Sequence, residues 1–378
     1  MRSGQALGEG VRGGRPARQA PPLREDLAGR EPYGSPLPDV PVRLNVNENP
    51  YSPSPALVRA VADAVTSVAV TLNRYPDRDA AGLRDDLAAY LGHGLTREHL
   101  WAANGSNEII QQLLQAFGGP GRTALGFEPS YSMHPLIART TGTRWVGAAR
   151  DAGFGLDPGR AVTAVRQLQP DVVFLTSPNN PTGTALPLAT IEEVCAVAPG
   201  MVVVDEAYAE FARDRSATAL GLLPRYQRLV VARTMSKAFA LAGARLGYLA
   251  AAPEVVRALQ IVRLPYHLSA ITQAVARVAL AHADELLATV AVLRAERDSF
   301  LGWVRSRGLT AADSDANFVL IGEFGDRHAV WQGLLDRGVL VREVGPPGWL
   351  RVTIGTTEEM AAFRAALDKV LAGPGNKA

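Results

Sequence analysis

The chain has 378 residues, 47% hydrophobic and 20% charged, with apolar material enough for a sizeable core divided between one large domain and a smaller one. Its formal charge of +2, with basic excess confined to the Arg-containing, acid-poor first twenty residues, argues against a nucleic-acid partner. Cys195 is the only cysteine, which excludes an intramolecular disulfide, and no apolar run approaches the ~20 residues of a membrane span, so no membrane partner is expected and the cytoplasm is the expected compartment.

Residues 1–30 show no hydrophobic periodicity and are rich in Gly, Arg and Pro, the composition of a mobile arm. Ordered structure is expected from Pro32 and Tyr33 onward. Ser54 and Pro55 announce a first helix as N-cap and first helical residue, with Leu57, Val58, Val61, Ala62 and Val65 along one face. A second helix is read over 80–90. Apolar strands follow at 99–104, 124–127, 171–176, 201–204, 229–233 and 246–250, alternating with helices such as 108–117 and 188–197. Cys195 falls within the apolar pattern of the last of these and reads as core packing. Unbroken apolar strands in a βαβ rhythm predict an α/β fold with a mainly parallel sheet covered by helices on both faces. After about residue 275 the pattern changes to one long helix over 271–297, strands at 317–321, 339–344 and 350–354, and a last helix opened by a Thr356/Glu359 capping box. The organisation expected is an arm (1–30), a segment packing with the small domain (31–60), a large domain (61–284) and a small C-terminal α/β domain (285–378).

Four local patterns carry chemistry. In Arg233-Thr234-Met235-Ser236-Lys237, with Arg245 eight residues on, a lysine sits among hydroxyls just past an apolar strand. A solvated loop end has the same composition; the chemical reading is that Lys237 forms a Schiff base with a cofactor aldehyde while Thr234, Ser236 and Arg245 surround its phosphate. Phosphate needs several donors and a fixed positive charge, which arginine presents as a fork. The second pattern is the strand Met201-Val202-Val203-Val204 running into Asp205-Glu206-Ala207-Tyr208. Ligands of open α/β sheets bind beyond the carboxyl ends of the strands, and a carboxylate at that place keeps a pyridine nitrogen protonated. Tyr208 is then spaced to meet the ring's phenolate oxygen. The third, Ser177-Pro178-Asn179-Asn180-Pro181-Thr182-Gly183, has the composition of a plain turn, yet Asn180, biased to extended backbone by the following proline, offers an amide to the same oxygen. The fourth, Asn104-Gly105-Ser106-Asn107-Glu108, joins a strand to a helix, whose free N–H groups form a phosphate cradle. Nearby, Tyr131 in Pro129-Ser130-Tyr131 offers an aromatic face for a cofactor ring.

In that order along the chain, these motifs resemble the fold-type-I aminotransferases of class I/II. The resemblance extends to their histidinol-phosphate aminotransferase branch through Leu44-Asn45-Val46-Asn47-Glu48-Asn49-Pro50, Arg74-Tyr75-Pro76-Asp77, Ser130-Tyr131-Ser132-Met133, Thr234-Met235-Ser236-Lys237-Ala238-Phe239 and Leu350-Arg351-Val352-Thr353-Ile354-Gly355. It implies pyridoxal 5'-phosphate as cofactor, Lys237 as the lysine that binds it, Asp205 as partner of the pyridine nitrogen and Tyr131 stacked on the ring, with Asn180 and Tyr208 on the phenolate oxygen. Gly105, Ser106, Asn107, Thr234, Ser236 and Arg245 are implied around the phosphate, and Tyr75 at the phosphate of a neighbouring subunit, which makes the active unit a homodimer. For substrate the resemblance implies Arg351 on the anion, Arg342 and Tyr33 on a substrate phosphate, and Asn47 and Tyr266 nearby.

The reaction so implied moves an amino group between L-histidinol phosphate and 2-oxoglutarate, with Lys237 as general base and acid. Two rivals share the machinery. An aromatic amino acid aminotransferase wants a more apolar pocket than Tyr33 and Arg342 provide, and a threonine-phosphate decarboxylase releases carbon dioxide.

Overall fold

Ser54 caps the first long helix as its position demands, its Oγ accepting from the Leu57 N–H at 3.1 Å, with Pro55 opening α1 (Pro55–Ala69). This computed structural model describes residues 22–29, 34 and 38–373; Tyr33 and most of the arm expected over 1–30 lie outside them. The chain falls into two units, Met1–Gly34 and Ser35–Ala378. Among the described residues of the first is a single 3-10 turn, Glu25–Leu27.

The second unit opens with β1 (Val42–Arg43), followed after α1 by α2 (Ala81–Leu91), β2 (Leu100–Ala103), α3 (Ser106–Phe117), β3 (Thr123–Glu128), α4 (Met133–Thr140), β4 (Arg144–Ala149) and α5 (Pro158–Leu168). Then come β5 (Val172–Thr176), α6 (Leu188–Val197), β6 (Met201–Asp205), β7 (Leu229–Thr234), β8 (Gly247–Ala251) and α7 (Pro253–Val262). Seven strands form one sheet in the order β2-β8-β7-β6-β5-β3-β4. Every residue of β5, β6 and β7 is buried, because both faces are covered: Val173, Leu175, Val202, Val204 and Val231 pack on one side, and the alternating Val172, Phe174, Val203, Val230 and Ala232 on the other. This is the mainly parallel, helix-covered α/β sheet expected. One strand departs from it. β8 runs antiparallel to both β7 and β2, since the link at 235–246 contains no helix and a parallel crossover needs one or its equivalent. That helix-free link is the segment carrying Lys237 and Arg245.

The helix expected over 271–297 is two helices, α8 (Ala270–Ala281) and α9 (Ala283–Ser306), meeting at His282, whose backbone (φ −108°, ψ 23°) leaves the helical region. Asp284 and Glu285 in the first turn of α9 favour a fresh N-terminus there. Then follow β9 (Thr310–Ala311), β10 (Phe318–Gly322), α10 (Arg327–Leu335), β11 (Val339–Leu340), β12 (Arg342–Glu343), β13 (Leu350–Thr353) and α11 (Thr357–Leu371), which Thr356 and Glu359 open as a capping box. The stretch expected as one strand at 339–344 is divided because its halves serve different partners. β11 pairs in parallel with β1, while β12 pairs with β13 in the four-stranded sheet β12-β13-β10-β9. Cys195 packs against the core, and burial pushes its thiol up to about 12, so it is an inert side chain. Among the described residues no helix is long and apolar enough to cross a membrane.

Candidate active site

The parallel strands of the large sheet end along one edge, and the polar motifs are found at those ends. Asp205 closes β6, Thr234 closes β7, Gly105 follows β2, Asn180 follows β5 and Tyr131 follows β3. Behind this edge a buried network stiffens the β6 and β7 ends: Arg233 donates to Glu206 Oε2 from Nη2 at 2.8 Å and from Nε at 3.1 Å, and Nη1 lies 3.4 Å from Glu210 Oε1.

The first cluster is built for an anion. Gly105 N-caps α3 at φ +88°, and Ser106 begins the helix, so unpaired N–H groups and the dipole point at one spot. Two glycines keep that spot open: a Cβ on Gly105 would lie 2.6 Å from Arg245 Nη2, and one on Gly247 would lie 2.2 Å from the Ser106 nitrogen. Arg245 reaches it from a left-handed backbone conformation (φ 57°), strain of about 1–3 kcal/mol that the surrounding fold sustains. Thr234 Oγ1 lies 3.0 Å from Ser236 Oγ and 3.1 Å from the Leu246 carbonyl and accepts from the Ser236 N–H at 3.1 Å, which holds the two hydroxyls together. Asn107 sits on the first turn of α3, its Oδ1 accepting from the Tyr131 hydroxyl at 3.2 Å.

Asp205 is 3% exposed, and beside it stands a residue the sequence motifs did not single out, His134 of α4. Its Nε2 lies 3.0 Å from Asp205 Oδ2, and its ring stacks on Phe174 at 4.7 Å and meets Tyr131 edge-on at 5.3 Å. His134 Nδ1 has no hydrogen-bond partner among the described residues. The tautomer with the proton on Nε2 therefore leaves no buried donor unsatisfied, and on that accounting His134 donates to Asp205. The Ala207 N–H donates to the other oxygen at 3.2 Å.

Lys237 donates from Nζ to the Val46 carbonyl at 3.0 Å, which joins the β7–β8 link to the segment 44–50. The side chain is partly exposed, but protein atoms crowd the amine; that burial, followed by the positive charge of Arg351, lowers its pKa from 10.5 to about 8. Arg351 is buried on β13 and donates to Asn180 Oδ1 at 2.6 Å and to the Asn45 carbonyl at 2.7 Å, with its guanidinium over the Phe318 ring at 5.3 Å. Arg342 is its direct partner across the β12/β13 pair, so the two arginines share one face of that sheet. Like charges at such a position destabilise a bare pair and favour a bound anion. Asn47 is buried, its amide engaged by Tyr208 and Thr353. Tyr75 is 79% exposed and stacks on Tyr266 of the same chain at 4.3 Å.

This donor set suits pyridoxal phosphate: an open cradle with a helix N-terminus, two hydroxyls and an arginine for the phosphate, a buried acid for the ring nitrogen, and an amine whose pKa is lowered by burial and by neighbouring arginines. The chain belongs to the aminotransferase class I and II family, whose model matches residues 39–367. Among its relatives, the histidinol-phosphate aminotransferase of Thermobifida fusca (strain YX) is 66% identical over 92% of this chain and 94% of its own length. Histidinol-phosphate aminotransferase 3 of Burkholderia lata is 61% identical over 93% of this chain and 96% of its own. Among solved structures, the histidinol-phosphate aminotransferase of Sinorhizobium meliloti in complex with pyridoxal-5'-phosphate superimposes with a TM-score of 0.80 at 26% identity, covering 88% of this chain and 91% of that one.

Proposed function

We propose that the chain is a histidinol-phosphate aminotransferase, moving an amino group between L-histidinol phosphate and 2-oxoglutarate with pyridoxal 5'-phosphate as cofactor. The observation that carries the substrate assignment is the paired Arg342 and Arg351 on one sheet face, with the charge of Arg351 reaching the Lys237 amine. When bound, the cofactor supplies an aldehyde that condenses with amines and a ring that withdraws electrons from the attached carbon.

The roles of the residues follow from their chemistry. Ser106, Thr234, Ser236 and Arg245 hold the cofactor phosphate, Gly105 leaves room for it, and Asn107 steadies Tyr131 against the ring. Asp205, oriented by His134, keeps the ring nitrogen protonated. Arg351 holds Asn180 by its carbonyl oxygen, which turns the Asn180 NH2 outward as a donor for the ring oxygen. Lys237 would hold the cofactor by its amine, and Nζ, neutral near pH 8, would serve as the base that takes and returns the proton of the substrate carbon bearing nitrogen. Arg351 takes the α-carboxylate of glutamate and, with Arg342, the phosphate of the other substrate; guanidinium forks suit both anions. In a homodimer Tyr75 would reach the cofactor phosphate of the second copy, and Tyr266 would stand near the substrate; the exposure of both rings, stacked on each other, supports this reading. The division into a large domain (61–284) and a small one (285–378) is part of the same proposal.

Competing acceptors test it: imidazole-acetol phosphate should be aminated far faster than phenylpyruvate, with no carbon dioxide released from threonine phosphate. A preference for phenylpyruvate would overturn the substrate assignment. Arg351→Gln should raise the KM for glutamate by about a hundredfold, the loss of a charge-assisted bidentate contact, with a smaller fall in kcat. Unchanged KM values in steady-state assays would remove Arg351 from the anion site.

A pH dependence follows from Lys237. Only the neutral amine attacks an aldehyde, and with a pKa lowered to about 8 the neutral form gains as pH rises through 8 and is nearly complete above it. Capture of pyridoxal phosphate by the cofactor-free protein should therefore accelerate through about pH 8, where half of the amine is neutral, and level off near about pH 9, as followed by stopped-flow absorbance. An ordinary lysine would give a rate still climbing at about pH 10. Removing the charge of Arg351 should move the plateau to higher pH, because that charge helps hold the amine neutral.

A further inference from the structure

Asn47 takes the left-handed backbone conformation (φ 58°), which asparagine tolerates better than most residues. In that conformation its N–H donates to Thr353 Oγ1 at 3.0 Å, and its side-chain amide lies between Thr353 and Tyr208. Thr353 Oγ1 is 3.0 Å from Asn47 Oδ1, and Asn47 Nδ2 is 2.9 Å from Tyr208 Oη. All three residues are buried, at 2%, 3% and 5% exposure for Asn47, Thr353 and Tyr208. The polarity of the chain of bonds is fixed. Thr353 Oγ1 already accepts from a backbone N–H, and the acceptor beside its single proton is Asn47 Oδ1. Turning the amide over would set Nδ2 against Thr353 and leave a buried hydroxyl proton without an acceptor, at a cost a buried site does not sustain. Nδ2 therefore faces Tyr208, whose Oη accepts from it and so directs its own proton to a different partner.

We propose that Asn47 and Thr353 are a positioning pair that fixes Tyr208 as a hydrogen-bond donor toward the ring oxygen of the bound cofactor. The proposal rests on the pyridoxal-phosphate reading above. It also ties substrate binding to the same oxygen: Arg351 and Thr353 are two residues apart on β13 and so share a face, and the segment 44–47 lies along them through Thr353 N to the Leu44 carbonyl (3.0 Å) and Arg351 Nη2 to the Asn45 carbonyl (2.7 Å). Arg351 fixes the donor direction of Asn180, and Thr353, through Asn47, fixes that of Tyr208. A donor on the ring oxygen disperses its negative charge and lowers the proton affinity of the nitrogen that joins Lys237 to the cofactor.

The test is a pH titration of the absorbance of the cofactor-loaded enzyme. Thr353→Val preserves shape and removes the hydroxyl, so the titration midpoint should rise by about half a pH unit, while Thr353→Ser should restore it. Asn47→Gly keeps the left-handed backbone and deletes the amide; its midpoint should rise at least as far, with Tyr208→Phe setting the upper limit at about one unit or more. A role in packing alone would lower thermal stability without moving the midpoint. Thr353→Val and Asn47→Gly enzymes that bind the cofactor and titrate with the parent would overturn the positioning pair. If Asn47→Gly fails to fold, the Thr353 variants decide. A parent protein that takes up no cofactor would instead overturn the reading on which the pair rests, and is seen before any variant is made.

Discussion

Lys237→Ala is expected to lower the single-turnover rate with histidinol phosphate by at least about 10³-fold, because one substitution removes both the attachment point of the cofactor and the group that moves the proton. The effect should be chemical and not structural. Lys237 lies on a helix-free link, partly exposed, and among the described residues the one hydrogen bond of its side chain is to the Val46 carbonyl. Truncation leaves that carbonyl to water, at a cost of about 1 kcal/mol, so the variant should melt close to the parent. Rapid mixing with absorbance detection measures the rate and circular dichroism the fold. A folded Lys237→Ala protein that turns over at the parent's rate would remove Lys237 from the mechanism.

Asp205→Asn should be nearly as damaging by a different route. The side chain keeps its size and its place beside His134, but a neutral amide does not stabilise a proton on the ring nitrogen. Loss of one preorganised charge at a site shielded from water costs about 10²- to 10³-fold in rate. The substitution should also weaken cofactor binding by about tenfold, the worth of one charge-assisted hydrogen bond. Measuring kcat alongside the cofactor dissociation constant separates the two. A kcat within about threefold of the parent, under cofactor saturation, would contradict the role given to Asp205.

The sequence was informative where a local pattern and its tertiary setting agree. Ser54, Pro55, Thr356 and Glu359 act within one helical turn, and the structure shows the caps where they were read. The strands β5, β6 and β7 are buried on both faces, so they appear as plain apolar runs. By contrast β4 carries Arg144 and Gly147 on the sheet edge, with a half-exposed pattern that no run of hydrophobics announces, and it went unread, as did α4 and α5. The break at His282 was hidden because α8 and α9 are both Ala- and Leu-rich and only Asp284 and Glu285 mark the restart.

The site divides in the same way. Asp205, Asn180, Thr234, Ser236, Lys237 and Arg245 stand in compact motifs at strand ends, and the sheet brings the motifs to one edge. His134 gave no such signal, and Thr353, though it stands in the 350–355 motif, carried none for its own role. His134 reaches Asp205 across 71 residues, and Thr353 meets Asn47 across 306, so neither contact has a local pattern to betray it. A histidine three residues past Tyr131 was the one available hint, and a lone histidine on a helix is more often a packed one.

The measurement closest to the central claim is a single turnover without any keto acid. The purified, cofactor-loaded protein is mixed with L-histidinol phosphate and the cofactor absorbance is followed. Loss of the aldehyde-form absorbance, gain of the amine form and release of one imidazole-acetol phosphate per site is the result expected. A cofactor that keeps its aldehyde-form spectrum with histidinol phosphate, yet is converted by glutamate, would show an aminotransferase of another substrate and contradict the assignment.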